Sequence, residues 1–457
     1  MNFYLPYFKK IKKCPKCDQE YDDYWQEHDH YSQERYYWTI YCKPCNSTRF
    51  KNEFDKWTSG NDTIDKFIQD TQLNASGLWK VTEWIPYNKF KGIKEIAIGG
   101  FVLTTCIVWI DGFIENWDIE NEQWKRYSQR EVVLKKIDSI GDLNENFLNE
   151  MVTNSRTMGT EKYEFEPVSL YGITKDPKTH KYMMVFEYIK DGNLRNYLNN
   201  NFNNIGWHKK LKYLRDLAQN FASIHNLNII HQDFHPGNIL SYNFNYSSSL
   251  RISDFGLSKL FGKNGEIFRK RTVFGVLPYI APEVLGGEEY TKAADVYSFA
   301  IVAYEIITGL PPYPDVAHDN DLALRICNGL RPKIPFHTPK LIARMIMRCL
   351  DARVTHRPTF DKLSEELSKY FDDYSKRTSI IGIQIKEAEE FFKNQETTDM
   401  TTTLLNYKTY PQAIYTSRLL DFSNLPKPIN EPNFETKLEE LTESFSHINT
   451  NDDIENF

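Results

Sequence analysis

No apolar run in the 457-residue sequence reaches the roughly 18 residues that a membrane-spanning helix needs. The start, MNFYLPYFKKIKK, has no apolar segment followed by a small-residue cleavage site. A membrane span and a secretory leader are therefore not expected, and the chain reads as cytoplasmic, or nuclear. Positive charge is not in excess either. Lys and Arg total 56 against 62 Asp and Glu, a net charge of −6, so no global field recruits nucleic acid or acidic lipid. Cysteine is scarce, with seven residues, which excludes a disulfide scaffold. No repeat with a period of about 20–50 residues is found, which removes solenoids and propellers. What is present is ordinary for a folded protein: 40% hydrophobic, 26% charged and 14% aromatic residues. At roughly 150 residues per domain, two or three units are expected.

Patterning divides the chain into four stretches. Residues 1–60 are rich in Cys, Lys, Tyr and Trp, and residues 61–88 read as a connector in which Ile64, Phe67, Ile68 and Leu73 fall at helical spacing. From 89 the pattern is of short β-branched or aromatic runs (IKEIAIGGF, TTCIVWI, EVVLKKI, KYMMVFEYI) with one helical stretch among them, NENFLNEMVTNSRTM. From 193 to 370 helical periodicity dominates. In KLKYLRDLAQNFASIH the residues Leu211, Leu214, Leu217, Ala218, Phe221 and Ile224 form one apolar stripe. Residues 371–457 lose this periodicity and end with eight acids against one lysine from Glu431 onward, so they read as an acidic, flexible tail.

The strongest chemical signal is His231-Gln-Asp-Phe-His-Pro-Gly-Asn238, followed by Asp254-Phe-Gly256 21 residues after Asp233. Phosphoryl transfer needs little covalent help. A protein supplies one carboxylate to orient the attacking hydroxyl and oxygen ligands for magnesium on the nucleotide phosphates. Asp233 suits the first role, and Asn238 with Asp254 the second. The sequence here resembles the eukaryotic protein kinases. A lone HxDxxxxN also occurs in small-molecule phosphotransferases. Ala281-Pro-Glu283, the buried helix opened by Asp295-Val-Tyr-Ser-Phe299, and Arg357 in HRP favour the protein kinases, in which the APE glutamate pairs with such an arginine. The resemblance implies an α+β, bilobal kinase fold over 89–370, with a β-rich first lobe and a mainly α second lobe.

It also implies roles for particular residues. Val132-Val-Leu-Lys135 matches the strand whose lysine contacts the ATP phosphates, and Glu150, 15 residues later, would hold Lys135 in place. Lys136 is expected on the opposite strand face. Glu187, Tyr188 and Ile189 match the hinge that binds adenine through its backbone, with Phe186 as gatekeeper and Leu240 as apolar floor. In the phosphate loop only Gly99 survives of three patterned glycines. Val102 stands where a residue must let the backbone approach the phosphates, and Thr104 replaces an apolar contact to adenine. Gln232 replaces the arginine that receives an activation-loop phosphate, although Thr272 and the run Arg269-Lys-Arg271 lie in that loop, the run reading as solvated. His235 and Val276 replace the Lys and Thr of Ser/Thr kinases, yet Tyr-kinase signatures are absent too. DVYSF and HRP resemble the tyrosine-kinase-like group, whose members mostly phosphorylate Ser and Thr.

Cys14-Pro-Lys-Cys17 and Cys42-Lys-Pro-Cys45, with 24 residues between the pairs, suit a tetrahedral thiolate site for Zn²⁺ in a small zinc-ribbon-like module. His28 and His30 lie between the pairs and read as solvated, since four cysteines complete the shell. Cys106, Cys327 and Cys349 read as small core residues. The lysines at 9, 10, 12, 13 and 16 suit a protein partner or a solubilising face better than nucleic acid. The expectation is an ATP- and Mg-dependent protein kinase acting on a protein hydroxyl, Ser or Thr, in signal transduction, with zinc as a structural ion. The alternative is a pseudokinase-like docking protein with weakened nucleotide binding.

Overall fold

The computed structural model describes residues 8–14, 16–25, 42–99, 102–137, 145–157, 167–245, 250–260, 273–376, 378–395, 409–422 and 424–446. The chain divides into two units. One comprises Met1–Asn144, Asn154–Gly159 and Val168–Tyr188, the other Glu145–Thr153, Thr160–Pro167 and Ile189–Phe457.

The first unit is β-rich. It opens with an antiparallel hairpin of β1 (Phe8–Lys13) and β2 (Glu20–Trp25). Helix α1 (Lys43–Lys51) starts directly after Cys42 with proline in its first turn, where a missing N–H costs nothing. Helix α2 (Asp62–Asn74) begins where Asn61 accepts from the amides of Thr63 and Ile64, and it buries Ile64 and Ile68. A six-stranded sheet follows, built from β3 (Glu83–Trp84), β4 (Phe90–Gly99), β5 (Val102–Trp109), β8 (Arg130–Ile137), β9 (Leu170–Lys175) and β10 (Tyr182–Glu187). Its spatial order is β3-β9-β10-β8-β5-β4, antiparallel except for β3 with β9. A separate hairpin of β6 (Ile114–Asp118) and β7 (Gln123–Arg126) lies between β5 and β8 in sequence.

The strand period decides which side chains meet the core. Val132 and Leu134 of β8 join Ile107, Trp109, Met183 and Val185 in one apolar cluster, so Lys135 falls on the other face. The amino-terminal segment is not independent of this unit. Phe50 of α1 stacks on Trp124 of β7 with centroids 4.5 Å apart, and Phe50, Ala75, Val81 and Ile114 share a small core. Ser47 Oγ donates to the carbonyl of Leu73, which ties α1 to α2.

Helix α3 (Glu145–Thr157) is shared between the two units' residues. The second unit is mainly helical: α4 (Leu194–Asn201), α5 (Trp207–Asn226), α6 (Pro282–Leu285), α7 (Lys292–Thr308), α8 (Asn320–Cys327), α9 (Lys340–Cys349), α10 (Phe360–Tyr374) and α11 (Ile380–Gln395). The stripe foreseen on α5 is fully buried in the main core. Short strands carry the loops that matter for chemistry: β11 (Ile229–Ile230), β12 (Ile239–Leu240), β13 (Arg251–Ile252), β14 (Lys259–Leu260) and β15 (Val273–Gly275). Cys327 and Cys349 are buried, and burial raises both thiols' pKa, to about 11 and about 12. Cys106 is buried in the first unit.

Composition suggested a flexible tail after 370, and the described residues there are built into the second unit. Helix α10 continues to Tyr374, and α11 buries Ile381, Ile385 and Ala388. Strand β16 (Arg418–Leu420) pairs antiparallel with β15. Asn430 receives the amide of Ala352 at 2.7 Å and donates to Asp351 at 2.8 Å, leading into a helix over Phe434–Ser446 whose first residue is buried. These described parts are held by Ile381, Ile385, Ala388 and Leu420 in the main core and by backbone hydrogen bonds such as the β15–β16 ladder, the amide of Tyr410 to the carbonyl of Pro314 and the amide of Ile429 to the carbonyl of Cys327. Residues 396–408 and 447–457 lie outside the described residues. Among the described residues no helix is long and apolar enough to cross a membrane.

Candidate active site

In the second unit, the residues singled out for phosphoryl transfer are fixed by backbone contacts. Asp295, buried in the first turn of α7, accepts from the amides of His231 at 2.9 Å and Gln232 at 3.0 Å and from His225 Nε2 at 2.8 Å. These bonds hold Gln232 at φ 71°, a left-handed conformation that costs energy in a non-glycine residue. His231 Nε2 donates to the carbonyl of Ser253 at 3.1 Å while its Nδ1 accepts the amide of Asp233 at 3.3 Å. One nitrogen donates and one accepts, which is what a neutral imidazole offers, and burial lowers its pKa accordingly.

Asp233 is thereby set, buried, at the head of the loop. Asn238 Nδ2 donates to the carbonyl of Asp233 at 2.9 Å, and the carbonyl of Asn238 accepts from the amide of Ser253 at 3.0 Å. The β12–β13 ladder, Ile239 opposite Ile252, keeps these two loops in register. Asp254 follows at φ 66°, accepting the amide of Gly256 at 3.4 Å. A Cβ on Gly256 would stand 3.1 Å from Glu150 Oε2 and 3.3 Å from Asp254 Oδ1, so a larger residue would crowd both carboxylates. With Nδ2 of Asn238 used on Asp233, its amide oxygen is the atom that could serve a cation, and the Ser253 bond to the Asn238 carbonyl brings the residue before Asp254 next to it. One carboxylate plus an amide oxygen and waters is a donor set that Mg²⁺ accepts.

The base of the unit carries the ion pair foreseen from sequence. Arg357 donates from both terminal nitrogens to Glu283, each at 2.7 Å, and the two side chains are almost wholly buried. The same guanidinium reaches the carbonyls of Asp351 and Ala293 at 2.7 and 2.9 Å. A bidentate, fully hydrogen-bonded pair is the form in which two charges tolerate burial.

Residues 116–367, more than half of the chain, match the family model described as protein tyrosine and serine/threonine kinase. The chain belongs to that kinase family. Among its relatives are a probable serine/threonine-protein kinase of Dictyostelium discoideum, 32% identical over 206 residues (44% of this chain, 12% of that protein), and a second from the same organism, 29% identical over 261 residues (54% and 30%). An RGS domain-containing serine/threonine-protein kinase of Dictyostelium discoideum is 31% identical over 183 residues (40% and 16%). The matched stretches thus span less than a third of each of these relatives.

Other residues assigned to the kinase site lie in the first unit. Lys135 is buried on the central strand β8, opposite Met184 of β10 and Thr104 of β5. Lys136, beside it, is half-buried. Gly99 ends β4 in register with Val102 of β5, and the glycine after it lies outside the described residues. Glu187 ends β10 and Tyr188 is the last residue of this unit, whereas Ile189, buried, opens the stretch 189–457 of the second. Phe186 is buried on β10. In the second unit Leu240 sits on β12, half-buried. The activation-loop residues Arg269, Lys270, Arg271 and Thr272 lie outside the described residues, as do His28 and His30.

The four amino-terminal cysteines converge. Their sulfurs all lie within 4.8 Å of one another, with Cys14 to Cys45 at 3.8 Å and Cys17 to Cys42 at 3.5 Å. No disulfide joins them. Tetrahedral Zn–S bonds of about 2.3 Å place sulfurs about 3.8 Å apart, so the spacing fits the ion. Burial opposes charge on Cys14, yet the amides of Lys16 and Cys17 bring its thiol down to about 7, while burial pushes Cys42 and Cys45 up.

Sequence reading missed the residues that approach Asp233 from the carboxy-terminal segment. Ser417 Oγ donates to Asp233 Oδ2 at 2.6 Å, and His235 Nε2 lies 3.1 Å from the same Oγ. Arg195, held by Glu305 and Tyr279, donates to the carbonyl of Tyr415 at 2.8 Å. The available signal was the run Ile414-Tyr-Thr-Ser-Arg-Leu-Leu420, an apolar and β-branched island in a polar stretch.

Proposed function

We propose that this chain is an ATP- and Mg²⁺-dependent protein kinase of the tyrosine-kinase-like group that transfers the γ-phosphoryl group to a Ser or Thr hydroxyl of a protein in signal transduction. The observation that carries the reading is that buried Asp233 accepts a hydrogen bond from the Ser417 hydroxyl at 2.6 Å, the contact a base must make with an attacking alcohol. In this reading Asp233 orients the hydroxyl and takes its proton, and Asn238 and Asp254 would hold magnesium. Bound Mg-ATP supplies the electrophilic phosphorus. Lys135 and Glu150 would keep the roles that the resemblance implies, Gly99 would serve the phosphates, and Glu187, Tyr188, Ile189 and Leu240 would receive the adenine. The test is Mg²⁺-dependent ATP binding, followed by phosphoamino-acid analysis of a mixed Ser, Thr and Tyr peptide panel. Phosphoserine or phosphothreonine is expected. ATP binding without transfer would favour a docking protein instead.

We propose zinc for Cys14, Cys17, Cys42 and Cys45, as a structural ion. It would cross-link the loop after β1 to the start of α1, and α1 rests on the β6–β7 hairpin through Phe50 and Trp124. Lys13 and Lys16, exposed beside the cysteines, would then be left for a protein partner.

A further inference from the structure

Four contacts seat the segment Tyr410–Leu420 along the part of the second unit that carries Asp233. Tyr415 offers its carbonyl to Arg195, whose guanidinium is also bound by Glu305. Ser417 reaches Asp233. Arg418, Leu419 and Leu420 pair as a strand with Gly275, Phe274 and Val273, the end of the segment that precedes Ala281-Pro-Glu283. Leu420 is buried in the main core, and Gly275, at φ 143°, is tight enough that a Cβ there would stand 3.4 Å from Asp233 Oδ1.

The hydrogen-bond directions at Ser417 can be worked out. His235 Nδ1 accepts the amide of Gly237 at 3.0 Å, so in the neutral ring the proton is on Nε2, which donates to Ser417 Oγ at 3.1 Å. The hydroxyl must then give its own proton to Asp233 Oδ2. That leaves one lone pair of Oγ unspent. His235, the residue that departs from the Ser/Thr-kinase pattern, therefore orients this serine.

We propose that Ser417 is the chain's own phosphoacceptor: residues 410–420 are an intramolecular substrate strap on the kinase site, and phosphoryl transfer to Ser417 releases it. The inference rests on the kinase reading of Asp233. In the step, Ser417 Oγ bonds to the γ-phosphorus of a nucleoside triphosphate as the bond from that phosphorus to the β–γ bridging oxygen breaks. The hydroxyl proton passes to Asp233 and the nucleoside diphosphate leaves. Once Asp233 has given that proton up to solvent, the product sets about −1.5 to −2 charge next to its carboxylate, a like-charge contact in a half-buried place, so the strap is driven off. Until then the strap excludes other protein substrates from the same groove.

The experiment uses the full chain, dephosphorylated, with Mg-ATP, mapping phosphate by mass spectrometry while a peptide panel reports transfer in trans. Phosphate at Ser417, appearing at a per-chain rate unchanged on dilution and followed by a rise in peptide phosphorylation, is the expected result. Ser417→Thr should retain the modification, whereas Ser417→Ala should lose it and the subsequent rise. Leu420→Asp, which unseats the strap without touching the site, should raise peptide phosphorylation from the first time point by about tenfold or more, as expected when an intramolecular competitor is removed. Peptide transfer with Ser417 unmodified overturns the inference and leaves the kinase reading intact. A rate that rises with chain concentration overturns the intramolecular route. Absence of transfer to any acceptor, including in Leu420→Asp, overturns both.

Discussion

Replacing Arg357 by methionine keeps most of the side-chain volume and removes every hydrogen bond the guanidinium makes. Two of these go to Glu283 at 2.7 Å and two to the carbonyls of Asp351 and Ala293. Glu283 is left buried, with its side chain about 3% exposed, and without its cation. Breaking a buried pair by removing one partner costs about 3–5 kcal/mol, because the remaining charge is uncompensated. The two orphaned carbonyls add about 1 kcal/mol or more each, which puts Arg357→Met at the upper end of that range. Arg357→Lys should recover little, since one ammonium cannot form the bidentate fork and reach two carbonyls as well. The double variant Glu283→Met/Arg357→Met removes both charges and should cost less than Arg357→Met alone. Urea unfolding of the full chain, followed by tryptophan fluorescence at fixed pH and salt, measures all four proteins. Arg357→Met within about 1 kcal/mol of the parent, or a double variant as costly as Arg357→Met alone, would refute the reasoning.

Asp254→Asn should abolish Mg²⁺-dependent nucleotide binding, whereas Asp233→Asn should spare binding and remove transfer; calorimetry with a transfer assay separates the steps, and equal loss of binding would overturn the assignment. Purified full chain should carry one zinc per molecule, lost in Cys17→Ser and on chelation with destabilisation of the first unit; metal analysis showing no zinc would remove the ion. In the phosphate loop, Val102→Gly should tighten ATP binding by about 1 kcal/mol, with Thr104→Val adding a similar step, and an unchanged affinity would show that the loop does not limit binding. His231 is buried with its pKa lowered, so the unfolded chain takes the proton first. The stability it contributes is present above about pH 6.5 and is lost as pH falls, by up to about 1.4 kcal/mol per unit. His231→Gln should flatten that part of the unfolding profile, and parallel curves for the two proteins would contradict it.

The sequence by itself determined what local pattern can encode. Asp233, Asn238 and Asp254 stand at spacings that a strand, turn and strand convert directly into neighbours, and the α5 stripe and β8 alternation follow from periods of 3.6 and 2. The Glu283–Arg357 pair and the four-cysteine cluster were legible because few buried arrangements satisfy such groups. What only the tertiary structure decided are contacts between residues far apart in the chain with no period to announce them. Phe50 on Trp124 makes the amino-terminal module part of the β-rich unit. Asp295 caps the amides of His231 and Gln232 from 63 or more residues away. Ser417 reaches Asp233 across 184 positions, from a stretch whose polar composition read as a tail. Composition reports whether a segment can bury a core of its own; it is silent on whether another surface already offers it partners for its backbone, and that depends on the folded groove beneath.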